Sequence, residues 1–111
     1  MIYIKEAHPS DGWVSRGNTR AGITIATHRD YAERIDACTL AQSKLKIEMP
    51  ALVDGMDDAV NKAYAASPDR LYLIDKDGLI AIKGARGPRG FAPSVDDARD
   101  WLATHVDINE N

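Results

Sequence analysis

The chain has 111 residues, 44% of them hydrophobic and 28% charged, the size and composition of one small soluble domain with a single core. Fourteen Lys and Arg against seventeen Asp and Glu give a formal charge of −3, without the basic excess of a phosphate-binding surface, so nucleic acid is not an expected partner. One cysteine, Cys38, excludes an internal disulfide, and with three scattered histidines it falls short of a zinc site, so no metal is expected.

Ile2, Tyr3 and Ile4 form a β-branched and aromatic run, read as a strand that stops at EAHPSDGW, where Pro9 and Gly12 punctuate the backbone. This start lacks the basic and apolar regions of a signal peptide, and no run nears the roughly 18 to 20 apolar residues of a membrane span. A cytoplasmic protein without a membrane partner is expected. From Ser15 to Thr27 the chain is polar, carries Gly17 and Gly22, and reads as a connection. From His28 to Lys46, Tyr31, Ile35, Cys38 and Leu45, with Ala41 or Gln42 between, recur at helical spacing and predict one amphipathic face. Thr27 is placed to cap this helix, with Asp30 three residues on. Cys38 on the apolar stripe reads as a buried, inert thiol.

Pro50 ends that segment, and Ala51 to Val53 predict a short buried parallel strand leading to Asp54 and Gly55. Met56, Val60, Ala63 and Tyr64 repeat as a second helix until Ser67 and Pro68 break it. Leu71 to Ile74 and Leu79 to Ile82 are two strands joined by DKDG, whose Asp77-Gly78 pair is a hairpin signal. That turn resembles the start of a calcium loop but lacks the remaining ligands. After the loop GARGPRG, Pro93 and Ser94 are read as opening a last helix, with Ser94 and Asp97 in capping-box positions and Val95, Ala98, Trp101, Leu102 and Val106 facing inward. The expected order is β-loop-α-β-α-β-β-α, an α/β fold in a single domain over residues 1–111, with 107–111 as a frayed tail.

The run YIKEAHPSDGW at Tyr3 to Trp13 resembles the signature of the iodothyronine deiodinases. Further matches follow in order: His28 ahead of an amphipathic helix, PALVDGMDDAVNKAYAASPDRLYLID at Pro50 to Asp75, GARGPRGF at Gly84 to Phe91, and Trp101-Leu102 in the last helix. The resemblance implies a thioredoxin-like mixed sheet flanked by helices, related to the peroxiredoxins. It also implies an oxidoreductase of a selenoprotein family that removes iodine reductively from an iodothyronine-type aromatic substrate. The reagents it implies are a selenol or thiol nucleophile and a thiol cosubstrate, with no other cofactor. Such a nucleophile reacts in its ionised form and needs nearby groups that donate protons or orient the ring.

In that family the nucleophile ends a strand upstream of the YIKEAHPSDGW equivalent, central in the sheet between the equivalents of Ile2 to Ile4 and Leu71 to Asp75. The expectation is therefore an N-terminally incomplete domain, a fragment without its central strand and without the nucleophile, so that its status as an enzyme stays open. A sheet lacking its middle exposes costly edges, for which a homodimer or a strand-donating partner is the expected remedy.

Glu6 and His8 follow the first strand, where α/β sheets place function. From spacing alone they are a surface pair; by resemblance they are catalytic, His8 as proton donor or relay with Glu6 orienting its imidazole. Ser10, Asp11 and Trp13 are turn formers and a hydrophobic plug, or by resemblance line the substrate site. His28 reads as a solvent-exposed residue of the first helical turn; the resemblance makes it substrate-binding, its ring kept neutral by the helix dipole. Arg86, among Gly84, Gly87 and Gly90, reads as part of a solvated loop, or by resemblance as a clamp on the substrate carboxylate.

Two other classes compete with a deiodinase-like oxidoreductase. One is a non-catalytic thioredoxin-like binding or assembly module that accepts a partner's strand; the other is a redoxin-like thiol reductase with another substrate. A first test is genetic: in-frame DNA upstream of Met1 is expected to encode an apolar strand, a UGA or Cys codon and a helix. Sequencing that finds no such frame, together with a monomeric and cooperatively folding 111-residue product, favours the binding module.

Overall fold

The computed structural model describes residues 1–12, 16, 20, 22 and 24–106. The expectations for Trp13, for part of the 15–27 connection and for the tail at 107–111 lie outside them. The described elements are mixed α/β, and the chain divides into two compact units that meet in sequence at Ala65 and Ala66.

In the first unit β1 (Ile2–Tyr3) pairs in parallel with β2 (Leu52–Val53), Ile2 opposite Leu52 and Tyr3 opposite Val53. Helix α1 (Tyr31–Lys44) is the crossover between them, as the βαβ reading requires. Its start corrects the expected cap. Asp30 is the N-cap and its carboxylate accepts the Glu33 amide at 2.8 Å. Glu33 in turn accepts the Arg29 amide at 2.7 Å. Thr27 lies three residues before that cap, and its amide and hydroxyl both donate to Asp11. Of the face expected, Cys38 and Ala41 are buried, together with Arg34 and Ala37, while Tyr31, Ile35 and Leu45 are exposed. Small residues at 37 and 41 let the helix approach closely, and Arg34, bonded through Nε and Nη1, takes the fourth place on the stripe. Ile25 and Ala37 form the core cluster, with Tyr3 packed against it.

The second helix, α2 (Ala59–Tyr64), is shorter than the Met56 start implied. Asp54 to Asp58 form a loop instead, with Asp58 in the left-handed region at φ 56°. The buried Asp54 carboxylate accepts the amides of Val60 at 3.0 Å and Asn61 at 2.9 Å, so it serves the helix start from outside.

The second unit holds the expected hairpin, β3 (Tyr72–Ile74) antiparallel to β4 (Ile80–Lys83), with an irregularity in register between Leu73 and Ile74. Asp75 organises the turn by accepting the amides of Asp77 and Leu79, and Gly78 takes φ 81°, where glycine pays no steric cost. Helix α3 (Phe91–His105) starts at Gly90, not at Ser94. Ser94 is buried in the first turn, where its hydroxyl donates to Gly90 O and accepts the Ala85 amide. A side chain at Gly84 would meet Leu71 O and Ser94 Oγ, so glycine is required for this close approach. Val95, Ala98 and Trp101 are half-buried as expected, whereas Leu102 and Val106 are exposed. The Ser67–Pro68 peptide is cis.

Among the described residues the strands thus form two two-stranded sheets, in place of the single mixed sheet expected. No helix among these residues is long and apolar enough to cross a membrane.

Cys38 is buried, with its thiol 3.9 Å from Gln42 Oε1, and burial pushes the thiol above its usual range. It is expected to react slowly with a thiol reagent in native buffer, and Cys38→Ala to cost about 1 to 2 kcal/mol through lost packing. Fast native labelling would contradict this placement.

Candidate functional site

The EAHPSDGW loop is tied to the segment that enters α1. Pro9 and Gly12 close a turn through Gly12 N and Pro9 O at 3.0 Å. The Ser10 amide then donates to Ile25 O at 2.7 Å, and Asp11 Oδ1 receives the Thr27 amide at 2.8 Å and its hydroxyl at 3.0 Å. These bonds hold the Asp11 carboxyl below its ordinary range and set the residue before His28 in place.

His28 is only 8% exposed, which corrects the exposed first-turn position expected for it; it precedes the Asp30 cap. Its ring lies 5.8 Å from that of Tyr3, whose hydroxyl donates to Glu6 Oε2 at 2.7 Å. Burial, then the bond to Glu6, holds the Tyr3 phenol well above its ordinary value. His28 Nδ1 accepts Arg34 Nε at 3.0 Å, and Nε2 is buried with no hydrogen-bond partner among the described residues. Burial first, and the Arg34 cation second, hold the imidazole below its ordinary range, so the ring is neutral at neutral pH. The neutral ring was expected, but its cause is burial beside a guanidinium and not the helix dipole.

Arg34 is itself buried and is anchored at its far end: Nη1 donates to Gly55 O at 2.7 Å and to Asp58 Oδ1 at 3.0 Å. The 54–58 loop therefore holds Arg34, and Arg34 holds His28. A groove of about 640 Å³ opens here, lined among others by Asp11, Ile25, Thr27, His28, Glu33 and Ala37.

Of the residues singled out from sequence, Asp11 and His28 share this groove, and Glu6 is brought next to it through Tyr3. Ser10 acts through its backbone. His8 is half-buried in the same loop. Arg86 belongs to the second unit, where its Nε donates to Ser67 O at 2.7 Å and ties the GARGPRG loop to the approach to β3. Sequence reasoning missed Arg34, Tyr3 and Asp54. The one available signal was that Arg34 falls in phase with Ala37, Cys38 and Ala41, and apolar counting discards an arginine. Among the described residues there is no group of His, Cys, Asp and Glu able to hold a metal.

Residues 1–106 match the family model for iodothyronine deiodinase. The chain belongs to the iodothyronine deiodinase family. It is 39% identical over 105 residues to a thyroxine 5-deiodinase of Sparus aurata, covering 92% of this chain and 36% of that protein. Over 102 residues it is 38% identical to the thyroxine 5-deiodinase of Gallus gallus and 39% to that of Bos taurus, covering 92% of this chain and 37% and 32% of those proteins. The chain spans about a third of the length of these curated relatives.

Asp54 gives a direct check on the support beneath this site. Burial alone would raise its carboxyl, but the amides of Asn61, Val60 and Gly55 and the Arg34 cation outweigh it and lower the value. Asp54→Ala is expected to cost about 1 to 3 kcal/mol in denaturant unfolding, since the buried Asn61 amide and the half-buried Val60 amide lose their acceptor. Because the folded value is depressed, the contribution is present above the unfolded carboxyl value of about 3.9 and is lost as pH falls through the folded one. A wild-type minus mutant difference that instead grows on acidification contradicts the assignment.

Proposed function

We propose that this chain carries the proton-handling and substrate-facing part of a deiodinase-type reductive dehalogenase with a thioredoxin-like arrangement, acting on an iodothyronine or a related aromatic iodide. The reaction starts with a selenolate or thiolate that attacks iodine. The C–I electron pair stays on the ring carbon, which takes a proton, and the Se–I or S–I product is then reduced by a thiol cosubstrate as iodide leaves. The nucleophile in this reading is not Cys38, because a buried thiol held above its ordinary range is a poor thiolate source. By the family resemblance His8 and Glu6 supply and orient the proton, His28 hydrogen-bonds the substrate, Ser10 and Asp11 shape the site, and Arg86 takes the substrate carboxylate through the guanidinium donors not used on Ser67.

The observation that carries this reading is the buried His28, neutral, with an unpartnered Nε2 and a place in the groove wall, within a chain of this family. A second reading, a module that accepts a strand, is favoured by β1 and β3, each of which pairs on one side only among the described residues. The two readings meet if the added strand also brings the nucleophile.

The test is iodide release from thyroxine, with a dithiol as reductant, by the product of the whole gene. His8→Ala is expected to lower kcat, because proton transfer acts in the transition state. Arg86→Ala is expected mainly to raise KM, because a remote carboxylate clamp acts in the ground state as well. No release by the wild-type product, combined with binding of a strand peptide, decides for the binding module.

A further inference from the structure

Arg34 is a buried cation on α1, outside the EAHPSDGW and GARGPRG loops. A guanidinium has N–H donors on every nitrogen, no acceptor, and no accessible neutral form. Arg34 Nε points at His28 Nδ1 from 3.0 Å, in a contact that is buried on both sides. Nδ1 must therefore present a lone pair. A proton there would set one N–H against another and place two cations side by side away from water.

The direction of Arg34 is not adjustable. Its Nη1 is fixed by Gly55 O at 2.7 Å and Asp58 Oδ1 at 3.0 Å, with Asp54 O at 3.5 Å, so the planar group is pinned at one end while Nε meets the ring at the other. Glu6, Glu33 and Asp58 each favour a charged imidazole, yet burial and Arg34 prevail and the ring stays neutral. A neutral imidazole whose Nδ1 accepts carries its one proton on Nε2. In this chain Nε2 is buried without a partner among the described residues, while His28 lines the groove. A buried N–H that lacks an acceptor costs free energy, and an oxygen on a ligand removes that cost.

We propose that Arg34 is a positioning residue that locks His28 in the Nε2–H tautomer, so that His28 offers the groove a hydrogen-bond donor for an anionic oxygen, a phenolate or carboxylate, of an aromatic ligand. The ring then cannot relay a proton from Nε2 to Nδ1, because Nδ1 is sealed by a donor that never gives up its charge. His28 acts as a selector for acceptor oxygens, and proton delivery falls to other groups. The ligand class in this inference rests on the proposed deiodinase-type function; the tautomer does not.

The tautomer is read by long-range proton–nitrogen correlation NMR on the 111-residue chain with ¹⁵N-labelled histidine, His28 being assigned by the signal lost in His28→Gln. The expected wild-type spectrum shows a protonated Nε2 and an acceptor Nδ1 at neutral pH. A protonated Nδ1, or an imidazolium, overturns the proposal whatever the ligand, and needs no Arg34 variant to fold. In Arg34→Lys, whose single ammonium cannot serve His28 and the 54–58 loop together, the fixed tautomer should give way to a mixture. Thyroxine is the ligand probe: its affinity should fall in Arg34→Lys in proportion to the Nε2–H fraction lost, about two-fold for an even mixture. In the His28→Gln background, where the amide N–H donates without any tautomer, Arg34→Lys should have no further effect on affinity. A full Arg34 effect surviving in that background assigns Arg34 a merely structural role and overturns the positioning. If wild type shows the Nε2–H tautomer but no thyroxine binding, the ligand class fails while the lock stands.

Discussion

A charge that has been removed from water must find its partners inside the protein, and for the first unit that charge is Arg34. Its side chain is 4% exposed, and leaving such a cation uncompensated would cost several kcal/mol, more than a small domain can spare. Three sets of acceptors answer it: the 54–58 backbone, the Asp58 carboxylate and the His28 ring. Each has a structural consequence. Gly55 and Asp58 are drawn into a loop that delays the start of α2, Asp58 adopts a left-handed backbone, and His28 loses the freedom to be protonated on Nδ1. Asp54, beside this cation, holds the helix that follows.

The EAHPSDGW loop meets this framework from the other side. Asp11 and the Ser10 amide bond to residues 24–28, so the loop bearing His8 and the segment bearing His28 are set by the same few bonds. The second unit is packed through close backbone approach. Gly84 lets the backbone near Leu71 lie against Ser94, and Ser94 joins Ala85 to Gly90, so the GARGPRG loop is fixed to the first turn of α3. Arg86, tied to Ser67 O, adds the approach to β3 to that frame.

What the sequence made legible follows from which signals are local. The hairpin was readable because Asp75, Asp77 and Gly78 settle their own turn, and the parallel β1–β2 crossover because apolar runs flank an amphipathic helix. Caps were less so. Thr27 has the right chemistry for an N-cap, but the helix opens only at Tyr31 and the role falls to Asp30, while Thr27 is tied to Asp11, sixteen residues away. Ser94 has the right chemistry too and is buried within α3 for reasons that lie at Ala85 and Gly90. The buried face of α1 was misread because periodicity counts apolar residues, and here a cation occupies the stripe. For the site, family motifs pointed to His28, Glu6 and Asp11, while Arg34, Tyr3 and Asp54 escaped because their roles depend on partners between 3 and 24 residues away.

Around this cluster three groups are held neutral, while the Asp11 and Asp54 carboxyls are held ionised. Burial and Glu6 keep the proton on Tyr3, burial keeps it on the Cys38 thiol, and burial with Arg34 keeps His28 neutral with its proton on one nitrogen. A site built this way holds donors and no activated nucleophile, since the only thiol in the chain is the group whose ionisation is opposed. Reductive dehalogenation divides into two demands: an ionised soft nucleophile for the halogen, and oriented donors for the ring oxygens and the carbon left behind. These side chains suit the second demand. The first calls for the opposite electrostatics, a thiolate or selenolate stabilised by nearby cations or amides, whereas Arg34 is turned to His28, Gly55 and Asp58 and Arg29 is paired with Glu33.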